Sequence, residues 1–251
     1  MGEPVIFDDL EAELDRLEAI LAGLDAAAWR SPSAAPGWSV TDVMLHLAQT
    51  EEAVVNTTRP QAGTAVTAEA ADGTGPSVDE RMERLVAAER DEPEVVFERW
   101  RVARRAALDA LRHADPERRV AWAAWPLKPA TLATTRLAEH WAHALDIVEP
   151  LAIPFADTDR LRHIAWLGHG SLPYAFGLIG EPARVVRCEL TAPDGETVWT
   201  FGPEDAESSI TGSAGAFCRV GAQRLAPAAS GLVTSGPDGA AALAVLRNYA
   251  A

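Results

Sequence analysis

Leu10, Leu14, Leu17, Leu21 and Leu24 recur at spacings of four, three, four and three, which draws one apolar stripe along a helix and commits that helix to packing against others. The spacing predicts a helix over 7–24. Ser39, with Asp42 three residues on, is placed to cap a second helix that carries Val43, His46, Leu47 and Val54 to about residue 56. A third helix is expected from Ser77 or Asp79 through Arg90, and a longer one over 92–113 with Arg101, Arg104 and Arg105 on one side. Pro126 and Pro129 precede a helix with Thr131 as its candidate cap, ending near Val148. A further helix over 157–176 contains His163, Trp166 and His169. Between residues 57 and 77 the chain is rich in Gly, Thr and Ala without periodicity, which reads as a mobile loop over the bundle, of the kind that often serves as a lid.

Near Gly180 the period changes. ARVVRCELTA, the turn PDG and TVWTFG read as a β-hairpin, SSITG and GLVTSG as two more strands, and SAGAFCRVGAQRL and PDGAAALAVLRNYA as helices. The expected fold class is therefore mainly α with a small α+β C-terminal domain, divided as a helical bundle over 1–180 and a sheet-plus-helices domain over 181–251.

The 251 residues carry a formal net charge of −15 and a sequence pI near 4.8, which argues against nucleic-acid binding because phosphate recognition needs a basic surface. No stretch approaches the roughly 18 uninterrupted apolar residues of a membrane span, and the start of the chain is acidic where a secretory signal is basic. A cytoplasmic protein, monomeric or homodimeric, that acts on a small molecule is the expectation. Cys188 and Cys218 make neither a disulfide framework nor a CxxC zinc spacing, and read as small buried apolar residues.

The chemistry concentrates in AEHWAHALD. Glu139 and His143 stand four apart on a helix, so both side chains emerge on one face and can reach one ion, and Asp146 lies on that face too. His46, in the apolar context VMLHLA, is the most plausible third ligand from another helix. Two nitrogens and one carboxylate are the donor set of a catalytic zinc site with open positions, and iron or nickel accept the same set. Each residue also has a plainer reading: a Glu and a His four apart usually form a solvated pair, and a buried histidine is usually a hydrogen-bonded core residue. His140 either replaces Glu139 as a ligand, donates a hydrogen bond behind the ligands, or serves as an acid or base. Asp146 either orients His143 or is a solvated acid at a helix end.

The blocks LAGLDAAAWRSPSAAPGWSVTDVMLHLAQTEE, RLAEHWAHALD and RCELTAPDGETVWTFGPEDAESSITGSAGAFC together resemble the mycothiol-dependent maleylpyruvate isomerase family, part of the DinB-like superfamily of metal-binding four-helix bundles. The resemblance implies a DinB-like bundle followed by a small α/β domain. Carried over residue by residue, it assigns a metal triad to His46, Glu139 and His143, with zinc the favoured ion, and implies mycothiol as a thiol cofactor at the open position. An isomerase or transferase acting on a small electrophile is the activity it implies.

Two other readings stand beside it. One is a thiol-independent enzyme of specialised metabolism that uses the ion as a Lewis acid for cyclisation, dehydration or hydrolysis. His140 favours it, as do Trp38, Trp122, Trp125, Trp141 and Trp166 if they line a pocket rather than pack the core. The other is a non-catalytic metal- or ligand-binding protein with a closed site. Arg81 and Arg84, just after the loop, are candidates for binding the cofactor or a carboxylate, or form a solvated helix face.

Overall fold

The leucine stripe folds as its spacing requires. Helix α1 spans Val5–Ala22, and Leu10, Leu14, Leu17 and Leu21 are all fully buried. Burying a leucine side chain is worth roughly 1.5–3 kcal/mol, so these four anchor the helix to its neighbours. In this computed structural model the described residues are 5–58, 77–122 and 125–249; the expected loop over 57–77 falls almost wholly outside them. Residues up to 155 form one compact unit and residues 156–249 a second.

In the first unit α1 is followed by α2 (Ala26–Arg30), α3 (Val40–Thr58), α4 (Val78–Ala88), α5 (Pro93–His113) and α6 (Pro129–Val148). The four long helices α1, α3, α5 and α6 pack on one another as a bundle, with α4 against α3. Val43, Met44, Leu47, Val54, Trp100, Leu111, Leu132, Leu137 and Leu145 fill its interior. The basic side of α5 faces the acidic side of α1: Arg104 donates to Asp15 at 2.8 Å and to Glu18, Arg101 to Glu18 at 2.7 Å, and Arg112 to Asp8 at 2.6 Å. The pairs that reach solvent contribute little each, so they select the pairing of the two helices more than they stabilise it, while the buried Arg104 guanidinium is held by both Asp15 and Glu18.

Helix α2 has no periodic signature in the sequence. Its N-cap Asp25 accepts from the Ala28 N–H at 2.8 Å, and Trp29 buries itself against Phe97 at 5.3 Å between ring centroids. Ser77 begins α4 through a capping box with Glu80. Thr131, expected as the cap of α6, lies inside it. Pro129 takes the first position, where its missing N–H costs nothing, and Lys128 is the N-cap without a side-chain capping bond.

Ser39 and Asp42 cap α3 reciprocally: the Ser39 N–H donates to Asp42 Oδ2 at 2.9 Å and the Asp42 N–H to Ser39 Oγ at 3.1 Å. Arg90 adds a bond to Asp42 Oδ1 at 2.8 Å. Burial alone would push the Asp42 carboxyl up, but the bonds from Ser39 and Arg90 outweigh it and hold the group below its usual value. Its contribution is complete above the ordinary carboxylate pKa and is lost as pH falls through the lowered one. Asp42→Ala is expected to cost about 1–2 kcal/mol of stability at neutral pH in urea unfolding, and less in acid.

The second unit begins with α7 (Leu161–Gly170) and α8 (Leu172–Leu178), expected from sequence as one helix belonging to the bundle. The break at Ser171 follows from Pro173, which has no N–H to give and whose ring clashes with the preceding turn. Both helices pack with elements of this second unit: α7 buries Leu161, Ile164 and Ala165 against α9 (Ala214–Gly221), and α8 meets α10 (Gly239–Val245). Strands β1 (Val186–Thr191), β2 (Val198–Phe201), β3 (Ser208–Ser213) and β4 (Val233–Ser235) form a sheet of order β2-β1-β3-β4. β1 is antiparallel to β2 and parallel to β3, and β3 is antiparallel to β4, so the hairpin and both later strands lie where the sequence puts them. Gly195, at φ 78°, makes the hairpin turn, and Asp194 Oδ1 accepts from the N–H groups of Glu196 and Thr197.

Candidate metal centre

One turn of α6 separates Glu139 from His143, and α3 brings His46 across to both. His46 Nε2 lies 2.9 Å from Glu139 Oε1, and His143 Nε2 lies 3.5 Å from the same oxygen. One ligand atom from each residue falls within 4.8 Å of the others, the sole such group of three or more His, Cys, Asp or Glu among the described residues. Behind His143, Asp146 Oδ2 accepts from Nδ1 at 2.9 Å. That bond keeps the hydrogen on Nδ1, so Nε2 is the nitrogen that faces Glu139: protonated, it donates to the carboxylate, and once deprotonated it offers its lone pair to an ion. The Trp38 ring covers the pair of imidazoles, 5.2 Å from His46 and 6.4 Å from His143 between centroids. His46 is buried, while 26% of the Glu139 side chain reaches solvent, so the cluster is open on the carboxylate side.

The electrostatics match a cation-binding cluster. Burial pushes Glu139 up, but hydrogen bonds from His143 and His46 and the charge of Arg136 hold its carboxyl well below the usual range. Burial lowers His46, which stays neutral and able to ligate. His143 is likewise penalised by burial, yet Asp146 and Glu139 raise it above the ordinary histidine value. His46 Nδ1 is buried with no hydrogen-bond partner among the described residues. Two imidazole nitrogens and one carboxylate oxygen, converging in a partly open pocket, fit a divalent ion of the zinc type with positions to spare.

The fold around this trio has known counterparts. Residues 10–148 match the family model of the mycothiol maleylpyruvate isomerase N-terminal domain, which spans the helical bundle and contains all three residues. The chain belongs to that family. An uncharacterized protein of Mycobacterium tuberculosis, found in strain H37Rv and in strain CDC 1551, is 36% identical over 255 aligned positions that cover 100% of this chain and 97% of the relative. Crystal structures of the mycothiol-dependent maleylpyruvate isomerase and of a histidine-to-alanine variant of it superpose with TM-scores of 0.63 and 0.62. They share 16% and 15% identity and cover 94% of this chain and 97% of theirs. At that identity the likeness speaks for the fold, and both the bundle and the sheet-plus-helices part of this family member fall within it.

The structure distributes the other candidate residues unevenly. Asp146 is buried and holds His143. His140, for which an acid–base role is expected from sequence, sits in the bundle interior with no exposure, and both its nitrogens are engaged. Nδ1 donates to the Arg136 carbonyl at 2.9 Å and Nε2 accepts from Trp100 Nε1 at 3.2 Å. Burial and the Arg136 charge push it well below the ordinary value, so it is a neutral core histidine without a free nitrogen. The reason is angular: neighbours on a helix point about 100° apart, so Glu139 and His140 cannot face the same pocket.

Arg81 and Arg84 are exposed on α4 and fit the solvated-face reading. Of the tryptophans, Trp38 borders the trio, Trp122 stacks under Arg136 at 5.7 Å, Trp141 is core, and Trp125 and Trp166 are half exposed. A groove of about 910 Å³ on α3 and α5, floored by Val55, Val102 and Ala106, includes none of the candidate residues. Cys188 and Cys218 are buried, and burial pushes both thiols up, Cys188 to about 12, which leaves them unreactive.

Sequence reasoning missed Glu51, Thr50 and Arg136. Arg136 Nε donates to Glu51 Oε1 at 2.8 Å, with both side chains almost fully buried, and Arg136 Nη2 donates to Thr50 Oγ1 at 2.7 Å. An Arg and a Glu on different helices carry no spacing signal. The one available hint is a charge at the periodic apolar positions of each helix.

Proposed function

We propose that this protein is an enzyme that holds a divalent ion, zinc by preference, through His46, Glu139 and His143. In this reading it uses mycothiol to isomerise or conjugate a small electrophile. The observation that carries the proposal is the convergence of two imidazole nitrogens and one carboxylate oxygen within 4.8 Å, inside a family named for a mycothiol-dependent isomerase. A bound divalent ion supplies the charge that favours thiolate over thiol at neutral pH, and a thiolate is the nucleophile for either outcome. The protein's own part is positional. Asp146 fixes the ring and tautomer of His143, burial keeps His46 neutral, and Glu139 remains ionised with one side open to a ligand. Trp38 shields the imidazoles from water. With His140 occupied inside the core, the residue that favoured thiol-independent acid–base chemistry is not available for it.

The decisive experiment combines metal analysis of the purified protein with a thiol assay. About one divalent ion per chain, and substrate turnover that requires mycothiol, are the expected results; a metal-free protein, or turnover indifferent to the thiol, overturns the reading. Asp146→Asn is expected to weaken ion binding by about ten- to a hundredfold while leaving the ligands in place, read by chelator competition. Binding also depends on pH in a set direction. Asp146 and Glu139 favour the imidazolium form of His143, and an ion must displace that proton. Apparent affinity is therefore expected to fall about tenfold per unit as pH drops below the raised His143 pKa, and to level off above it.

A further inference from the structure

We infer that the buried Glu51–Arg136 pair, linked through Thr50 to the backbone of His46, positions α3 against α6 and so delivers His46 to Glu139 and His143. This rests on the reading of that trio as a metal centre.

The ligands come from two helices, and nothing in the trio itself prevents α3 from sliding or rotating relative to α6. The link that opposes such a shift lies one turn away. Arg136 is three residues before Glu139 on α6, and Thr50 is four residues after His46 on α3. Arg136 Nη2 donates to Thr50 Oγ1 at 2.7 Å, and the Thr50 hydroxyl donates to the His46 carbonyl at 3.0 Å, shared with the Leu47 carbonyl at 3.1 Å. The same guanidinium reaches Glu51 at 2.8 Å through Nε, so its planar fork reads two adjacent residues of α3 at once. His140 closes the cluster, with Nδ1 3.5 Å from Glu51 Oε1 and 2.9 Å from the Arg136 carbonyl.

A buried ion pair is a poor way to stabilise a fold, because the cost of taking both charges out of water roughly cancels their attraction. Its best-attested use is to fix register. Glu51 and Arg136 have side-chain exposures of 2% and 3%, so desolvation is nearly complete here. A slip of α3 by one residue would rotate His46 by about 100° away from Glu139 and break both arms of the fork together.

The test separates positioning from stability. The double variant Glu51→Leu/Arg136→Met replaces the pair with apolar side chains of similar size. It is expected to melt at or above the wild-type temperature, yet to bind Co²⁺ about ten- to a hundredfold more weakly and with a changed visible spectrum. Thr50→Val keeps the ion pair and cuts the link to His46, with an expected loss of about tenfold. Arg136→Lys keeps the charge but cannot reach both partners, and is expected to recover only part of the affinity that the double variant loses. Wild-type affinity and an unchanged spectrum in both Thr50→Val and the double variant would overturn the inference; so would lowered melting without loss of affinity, which marks a merely structural pair. If the double variant does not fold, Thr50→Val decides alone. Wild-type protein that takes up no Co²⁺ defeats the metal-centre reading itself, and the inference with it.

Discussion

On the proposed reading of the trio as a metal centre, His46→Ala is expected to lose the ion: affinity for Zn²⁺ or Co²⁺ should fall by more than about a hundredfold, beyond the ten- to hundredfold typical of removing an outer partner such as Asp146. The ligands are spread over two helices, and α6 supplies only Glu139 and His143, 3.5 Å apart at their nearest polar atoms. Without His46 the remaining donors are a carboxylate and one imidazole, a set too poor to hold a divalent ion against water. The fold should survive, because the change removes one side chain at the edge of the bundle core rather than a packing anchor. The variant's unfolding free energy is expected to stay within about 1–2 kcal/mol of wild type. Elemental analysis beside denaturant unfolding reads both quantities, and full retention of the ion by a folded variant would remove His46 from the centre.

Trp100→Ala should strike the opposite balance, with a large loss of stability. Trp100 on α5 is fully buried, stacks on Phe97 at 6.1 Å between centroids and donates to His140 on α6 at 3.2 Å. Truncation leaves a cavity in the bundle and strips His140 Nε2 of its donor. The expected cost is about 3–5 kcal/mol for the cavity, with a further 1–3 kcal/mol for the stranded nitrogen. That is a large part of the 5–15 kcal/mol by which a typical domain is stable, so partial unfolding at 37 °C is the expected phenotype. Trp100→Phe isolates the hydrogen bond and should cost only the smaller share. A Trp100→Phe variant as stable as wild type would show that the Trp100–His140 bond contributes nothing to the bundle.

Much of this was legible along the chain because it is local. The leucine spacing of α1, the Ser39–Asp42 cap of α3, the E-x3-H spacing of α6 and the alternation of β1 and β2 are set by the 3.6- and 2-residue periods of the backbone, which a sequence displays directly. The pairing of Glu139 with His143 on one face followed from the same geometry. The partner of His143 could be named too, because Asp146 is one turn further along the same helix.

What the tertiary structure decided is which faces meet. Sequence adjacency made His140 look like part of the centre, whereas the rotation between neighbouring helical residues turned it toward Trp100 and the core. Glu51 and Arg136 stand 85 positions apart and share no periodic signal, and only the docking of α3 on α6 makes them a buried pair. Helices α7 and α8 looked like bundle helices by period alone, yet they pack with α9 and α10, because an apolar stripe specifies that it must be covered and not by what. His46 belongs to both accounts. Its apolar setting marked it as inward-facing, and the packing of two helices placed its Nε2 within 2.9 Å of Glu139. Period and capping are properties of consecutive residues, whereas a site assembled from separate helices exists only once their side chains have interlocked.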